Sequence, residues 1–302
     1  MRILVTGGAG YKGSVLTRML LEKGHRVTVV DRFLFGYDSL LDIVSHPALD
    51  VINKDVRVLS EADLKNYDVI FHLAGLVGFP ACQKNPSDAL TVNVEASQKI
   101  VKSIGADQVL IYASTTSLYG KSIHCCDENT EIMPISLYAK TKYEAEQRVL
   151  NHHNSVSMRF ATVFGVSPRM RTTLLVNDFV YKAVNDKHIV LFDAGSRRAF
   201  IHIKDAIRAY LFAIENIDKM KGSVFNIGNE NMTFSKEEIA EKINEQIPCE
   251  IIKSGLEDPD QRNFDISFKK IEQLEFYNQF SLEDGIRELI KLYSYYKREE
   301  QY

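Results

Sequence analysis

The 302-residue chain lacks most of what marks a membrane, secreted or metal-binding protein. Its four cysteines, Cys82, Cys125, Cys126 and Cys249, form no CxxC pair, and none lies beside a histidine at zinc-finger spacing. Neither a disulfide framework nor a structural zinc is expected from them; they read as reduced thiols of a cytoplasmic protein. No apolar run approaches the roughly 18 residues needed to cross a bilayer, and MRILVTGG enters a strand at once, without the basic and apolar regions of a signal peptide. Charge of one sign is also scarce. A formal net charge of -3 and a pI near 6.3 leave no overall basic field for nucleic acid or an anionic membrane, so any anion site must be local. No metal-ligand set, internal repeat or low-complexity tract is visible. His152 and His153 in NHHN have no Cys or carboxylate nearby to complete a ligand set. His72 in FHLAG reads as a packed strand-end residue, and His202 in FIHIKD as a bridge between two parts of the fold.

What is present is the composition of a soluble globular protein that can bury a large core, 45% hydrophobic and 25% charged. Short β-rich runs alternate with helical patterns: RILVT, a helix from about Lys12, HRVTVVD, DVINKD, DVIFHLAG, a long helix after Pro86, QVLIYAS, a second long helix, and SVSMRFATV. That alternation predicts an α/β fold, a doubly wound parallel sheet of the Rossmann type. After Val166 the rhythm changes through SPRMRTTLLVNDF, and a smaller C-terminal α/β substrate domain is expected. The expected division is residues 1–165 for the NAD-binding part, completed by about 199–223, with 166–198 and 224–302 binding the substrate. Ser235 with Glu238, and Ser281 with Asp284, have the spacing of helix-capping pairs.

TGGAGYKG at Thr6–Gly13 stands between the first strand and an amphipathic helix. Gly7, Gly10 and Gly13 permit a tight turn, close approach of backbone to a pyrophosphate, and close helix-to-strand packing, while the helix N-terminus supplies N–H donors. Asp31 ends the second strand about 20 residues past the glycines, where a carboxylate accepts hydrogen bonds from the adenosine ribose hydroxyls. It repels a 2′-phosphate, which favours NAD over NADP; Arg32 next to it works against that preference.

SLYAKTK places Tyr138 four residues before Lys142, and on a helix such positions share a face with Cβ atoms roughly 6 Å apart. A phenol is a poor base near neutrality, but a nearby ammonium stabilises the phenolate. STTSLYG follows the strand QVLIYA, so hydroxyls of Ser114, Thr115 and Thr116 reach the carboxyl edge of the sheet, where ligands bind.

Taken together, TGGAGYKG, Asp31, DVR at Asp55–Arg57, FHLAG, Asn93, STTSLYG, Tyr138 with Lys142, RFATVFG, RRAFIHIKD, VFNIG and DQRNFDISF resemble the extended short-chain dehydrogenase/reductase family, in its nucleotide-sugar epimerase and dehydratase branch. The resemblance implies Tyr138 as catalytic base, Lys142 as its partner and Thr115 as the assisting hydroxyl. It implies a cofactor set of Gly7, Gly10, Tyr11, Lys12, Asp31, Arg32, Asp55, Val56, Leu73, Ala74, Gly75, Asn93, Tyr138, Lys142 and Phe160. Thr116, Thr162, Arg198 and Arg262 would meet the substrate, the two arginines at its diphosphate. Dehydratase and decarboxylase relatives carry acidic residues just after the catalytic hydroxyl; here Thr116 and Ser117 follow Thr115. The resemblance therefore points to a homodimeric NAD-dependent nucleotide-sugar epimerase acting at C4 through a 4-keto sugar. A 4-dehydrogenase, a 4,6-dehydratase and a non-catalytic NAD sensor are the alternatives.

Overall fold

The structure is a computed structural model that describes residues 1–122, 124–256 and 264–297. Seven parallel strands form its main sheet: β1 (Arg2–Thr6), β2 (Arg26–Asp31), β3 (Leu49–Asn53), β4 (Val69–His72), β5 (Val109–Thr115), β6 (Ser155–Phe160) and β10 (Ser223–Ile227). The order β10-β6-β5-β4-β1-β2-β3 is the doubly wound arrangement, with the chain reversing direction across the sheet after β3. Strands in a two-face-covered sheet need continuous apolar runs, and β4 and β6 are buried along their whole length. Helices Tyr11–Glu22 and Ile203–Glu215 cover one face through Leu16, Leu20, Ile207 and Tyr210. Helices Ala96–Ser103 and Leu137–Val149 cover the other through Ile100, Ala145 and Val149.

The remaining strands form two small sheets. β7 (Thr162–Phe164), β9 (Arg197–His202) and β11 (Thr233–Ser235) make one; β8 (His188–Leu191) and β12 (Glu250–Lys253) make the other. With helices Leu175–Asn185, Lys236–Gln246 and Leu282–Tyr293 they enclose a second core around Phe164, Phe179, Ile239 and Leu289. The capping pairs read from the sequence close as expected: Ser235 with Glu238 and Ser281 with Asp284 each exchange side-chain and backbone bonds. The sequence division assigns 224–302 to the substrate part, whereas β10 pairs with β6 in the main sheet.

The helix expected after Pro86 is not continuous. Pro86–Leu90 gives way to a π turn at Thr91–Glu95 before the α-helix Ala96–Ser103. An extra residue in a turn re-aims the side chains it carries, and here the residue concerned is Asn93.

The helix carrying SLYAKTK is fixed to the sheet by a fully buried ion pair. Arg159 donates to both oxygens of Glu146, the closest at 2.6 Å, and Ser157 donates to Glu146 at 2.8 Å. Replacing Arg159 by Met leaves the Glu146 carboxylate, 0% exposed, without its counter-charge. We expect a loss of about 3–5 kcal/mol, read as the urea unfolding free energy, and a much smaller loss when Glu146 is made apolar as well.

Candidate functional site

Parallel register brings the carboxyl ends of the strands to one edge. Thr6 pairs with Val30 and His72, Asp31 with Asn53, and Thr115 with Phe160. The glycine-rich turn opens this edge. Gly7 has φ +72°, and a Cβ there would stand 2.8 Å from the Ala74 nitrogen. At Gly13 a Cβ would meet the Gly7 carbonyl oxygen at 2.1 Å, so helix and turn touch backbone to backbone. Such contact leaves the helix N-terminus bare for an anion. Asp31 accepts from Ala9 N at 3.0 Å and Phe33 N at 2.9 Å, one bond to each oxygen. Each oxygen keeps acceptor capacity for a ribose hydroxyl. Arg32 turns instead to Asp55, 3.1 Å away, and Asp55 is held below the usual carboxylate range first by its bonds with Arg57. These residues fit a nicotinamide dinucleotide with free ribose hydroxyls: the cradle admits its diphosphate, and the arginine that would greet a 2′-phosphate is already engaged.

Leu73, Ala74 and Gly75 follow β4 under this turn. The Asn93 side chain accepts from Leu76 N at 2.8 Å and donates to Leu76 O at 3.0 Å and Thr141 Oγ1 at 3.1 Å. The π turn thus ties the loop after β4 to the Tyr138 helix. His72 is wholly buried, with its ring nitrogens 2.9 Å from Thr6 Oγ1 and from Ser97 Oγ; burial pushes its pKa down to about 3. His152 is likewise buried, with Nε2 2.7 Å from Gln108 O.

Ser136 caps the helix Leu137–Val149 by accepting from Ala139 N, placing Tyr138 in its first turn. Lys142 is 5% exposed and lies with Nζ 4.0 Å over the Tyr112 ring. Burial holds its pKa down to about 7, against the opposing pull of Glu146. Thr115 caps the short turn Thr116–Tyr119: its hydroxyl accepts from Ser117 N at 3.1 Å and donates to the Ser117 hydroxyl at 3.0 Å. Thr116 turns inward, donating to Phe160 O at 3.2 Å. Thr162 opens β7 opposite Phe200, and Arg198 lies buried on β9 opposite Phe234. Arg262 falls outside the described residues.

Sequence reading missed Arg171 as a site residue and gave no account of the Lys12 side chain. Tyr11 donates to Gly165 O at 2.7 Å, and Ser167 donates to Tyr11 O at 2.7 Å. These bonds staple the segment after β7 onto the glycine turn. Arg171 is thereby brought within electrostatic reach of Tyr138 and Tyr11, its guanidinium pKa lowered by burial despite both phenols. Lys12 donates to the Tyr210 hydroxyl at 3.0 Å and stands 3.9 Å over the Phe160 ring. Burial, then Lys142 and Arg171, hold its pKa well below the ordinary lysine value. Among the described residues no carboxylate pairs with Lys12 or Arg171. The one visible signal was the pair of arginines in SPRMRTTLLVNDF.

The depressed Lys142 has a measurable consequence. Between about pH 7 and pH 10.5 the unfolded chain binds a proton that the folded chain has released. Stability therefore rises with pH across that window, and the penalty is complete below about 7. The unfolding free energy of ligand-free wild type, taken relative to Lys142→Met, should climb between pH 7 and pH 9.5 in urea titrations; a flat difference would mean that Lys142 titrates as a solvated lysine.

Comparison with known proteins matches residues 3–228 to the NAD dependent epimerase/dehydratase family. UDP-glucuronic acid decarboxylase 1 of Arabidopsis thaliana is 30% identical, over 96% of this chain and 69% of its own. UDP-N-acetyl-alpha-D-glucosaminuronate decarboxylase of Bacillus cytotoxicus is 26% identical, over 96% and 97%. The crystal structure of UDP-glucuronic acid 4-epimerase from Bacillus cereus in complex with NAD superposes with a TM-score of 0.84 at 25% identity, covering 97% of each chain. No helix among the described residues is long and apolar enough to cross a membrane. With the glycine cradle, the Asp31 carboxylate and a family match over most of its length, the chain belongs to the NAD dependent epimerase/dehydratase family, enzymes that act on nucleotide sugars with NAD as cofactor.

Proposed function

We propose that the protein is an NAD-dependent 4-epimerase of a UDP-linked sugar. The observation that carries this reading is the residue two past Thr115. The family resemblance read from the sequence implies an acidic residue in this turn for decarboxylases and dehydratases. This chain holds Ser117, hydrogen-bonded to Thr115, so this turn offers no carboxylic acid to expel water or assist loss of carbon dioxide. Tyr138 removes the proton of the sugar hydroxyl, Lys142 stabilises the phenolate that does so, and Thr115 hydrogen-bonds the substrate oxygen. NAD, when bound, supplies the acceptor and later the donor of the hydride at that carbon. The cradle at Gly7, Gly10, Tyr11 and Lys12 holds the cofactor diphosphate, Asp31 the adenosine ribose, and Asp55 and Val56 flank the adenine. Leu73, Ala74 and Gly75 line the cofactor, with Asn93 holding their loop and Phe160 closing the far side. The segments 166–198 and those following β10 form the nucleotide-sugar side, with Arg198 on the diphosphate. Rotation of the keto sugar between two hydride transfers inverts C4 with no net use of NAD.

Arg171 sharpens the substrate. A guanidinium within electrostatic reach of Tyr138 and, among the described residues, without a carboxylate partner suits a sugar that carries its own carboxylate, and the UDP-linked uronic acids named for the relatives have one. Incubation with UDP-glucose and UDP-glucuronate should give C4-inverted products, the uronate preferred, with no accumulation of NADH. A 4-keto-6-deoxy product, or pentose with released carbon dioxide, would refute the epimerase. Tyr138→Phe should lower kcat roughly a hundred- to ten-thousand-fold while bound NAD is retained, as judged by absorbance of the denatured protein's supernatant.

A further inference from the structure

The proposed reaction gives Lys142 a role but not the Lys12 side chain. The backbone of Lys12 belongs to the first turn of the helix that opens the diphosphate cradle, while its ammonium runs along the sheet edge to the Tyr210 hydroxyl and the Phe160 ring. Nothing in the packing requires a charge there. Phe71, Phe160 and Tyr210 form an aromatic cluster with ring centroids 4.8 and 5.5 Å apart, where an apolar side chain would fill the space without desolvating an ammonium.

Among the described residues, the charges that act on it have one sign. Lys142 and Arg171 are the cations that act on Lys12. Arg171 and Tyr210 each lie within electrostatic reach of Tyr138, and Lys12 bonds the Tyr210 hydroxyl, so Lys12 and Arg171 stand on the side of the site where Tyr138 lies. The nearest carboxylate on the Tyr138 helix face, Glu146, is consumed by Arg159. A hydride acceptor must approach within roughly 3–3.5 Å of the carbon whose hydroxyl Tyr138 deprotonates, and it therefore enters this same side of the site. The cofactor diphosphate at the adjoining helix N-terminus keeps Lys12 protonated, since two negative charges near a half-buried ammonium favour its charged form.

We propose that Lys12 biases the bound nicotinamide toward its reduced, uncharged form, and so holds the keto-sugar stage of the reaction. The proposal rests on the NAD-dependent oxidation described above. In that step the hydride, two electrons with one hydrogen nucleus, leaves the carbinol carbon for nicotinamide C4, and the hydroxyl proton goes to Tyr138. The alcohol is oxidised to a ketone, and the ring changes from a cation to a neutral dihydropyridine. A fixed positive charge nearby opposes the cation and leaves the neutral ring untouched, so the oxidised state alone is penalised.

The test is the ratio Kd(NAD+)/Kd(NADH), measured by calorimetry on the full chain without substrate. Each variant is its own reference, so a general loss of affinity or stability cancels. Lys12→Met should lower this ratio about tenfold or more, as expected for removal of one charge at short range in a partly screened site. Lys12→Arg should keep it within about threefold. Lys12→Gln, which retains a polar group at the Tyr210 hydroxyl, should behave as Lys12→Met if the latter folds poorly. An unchanged ratio overturns the proposal, as does an equal rise in both constants, which would make Lys12 a diphosphate ligand only. Failure of wild type to bind either nucleotide would instead remove the NAD-dependent reading on which the proposal stands. Wild type that binds both forms, with an unaltered ratio in the variants, leaves that reading intact and refutes the role of Lys12 alone.

Discussion

The buried pair between Glu146 and Arg159 determines where the reactive helix stands. It joins the last turns of Leu137–Val149 to β6, and four residues earlier on the same helix comes Lys142, four earlier again Tyr138. Arg159 also donates to the Tyr119 hydroxyl, which donates to the Asn226 side chain of β10. Tyr119 ends the turn that Thr115 caps. A single ion pair therefore links the hydroxyl-bearing turn, the Tyr138 helix and the last strand of the sheet. Such pairs rarely add much net stability, because desolvation offsets their attraction; what they confer here is position. The same pairing occupies the carboxylate nearest to Lys142, leaving the lysine's field largely unopposed.

Much of this was readable in the sequence, and for definite reasons. The glycine turn, Asp31, Thr115 and the Tyr138–Lys142 spacing are local patterns whose geometry is fixed by the element that carries them. Strand alternation and the two capping boxes were legible on the same grounds. The π turn at Thr91–Glu95 was not, since its cause is the tertiary demand that Asn93 reach both Leu76 and Thr141. Nor was the convergence of Lys12 with Arg171. That meeting depends on Tyr11 holding Gly165 and Ser167 across more than 150 positions of chain, and no periodicity records such a bond. Thr116 shows the converse limit: a hydroxyl in a catalytic motif that the fold spends on the Phe160 carbonyl.

Electrostatics separates this site from a generic nucleotide cradle. The adenosine end is balanced, with Asp55 shared between Arg32 and Arg57. The reacting end is not, with Lys12, Lys142 and Arg171 gathered around two phenols. Such an excess of one sign suits ligands that bring the compensating charge.

One consequence concerns Lys142. A side chain whose pKa lies at about 7 is protonated in only part of the ligand-free molecules at neutral pH, whereas an anion arriving nearby favours the charged form. Ligand binding then draws protons from the surrounding buffer, and the heat of association will vary with the ionisation enthalpy of whatever buffer supplies them. The resting protein is in that sense a proton acceptor in waiting, filled by the act of binding itself.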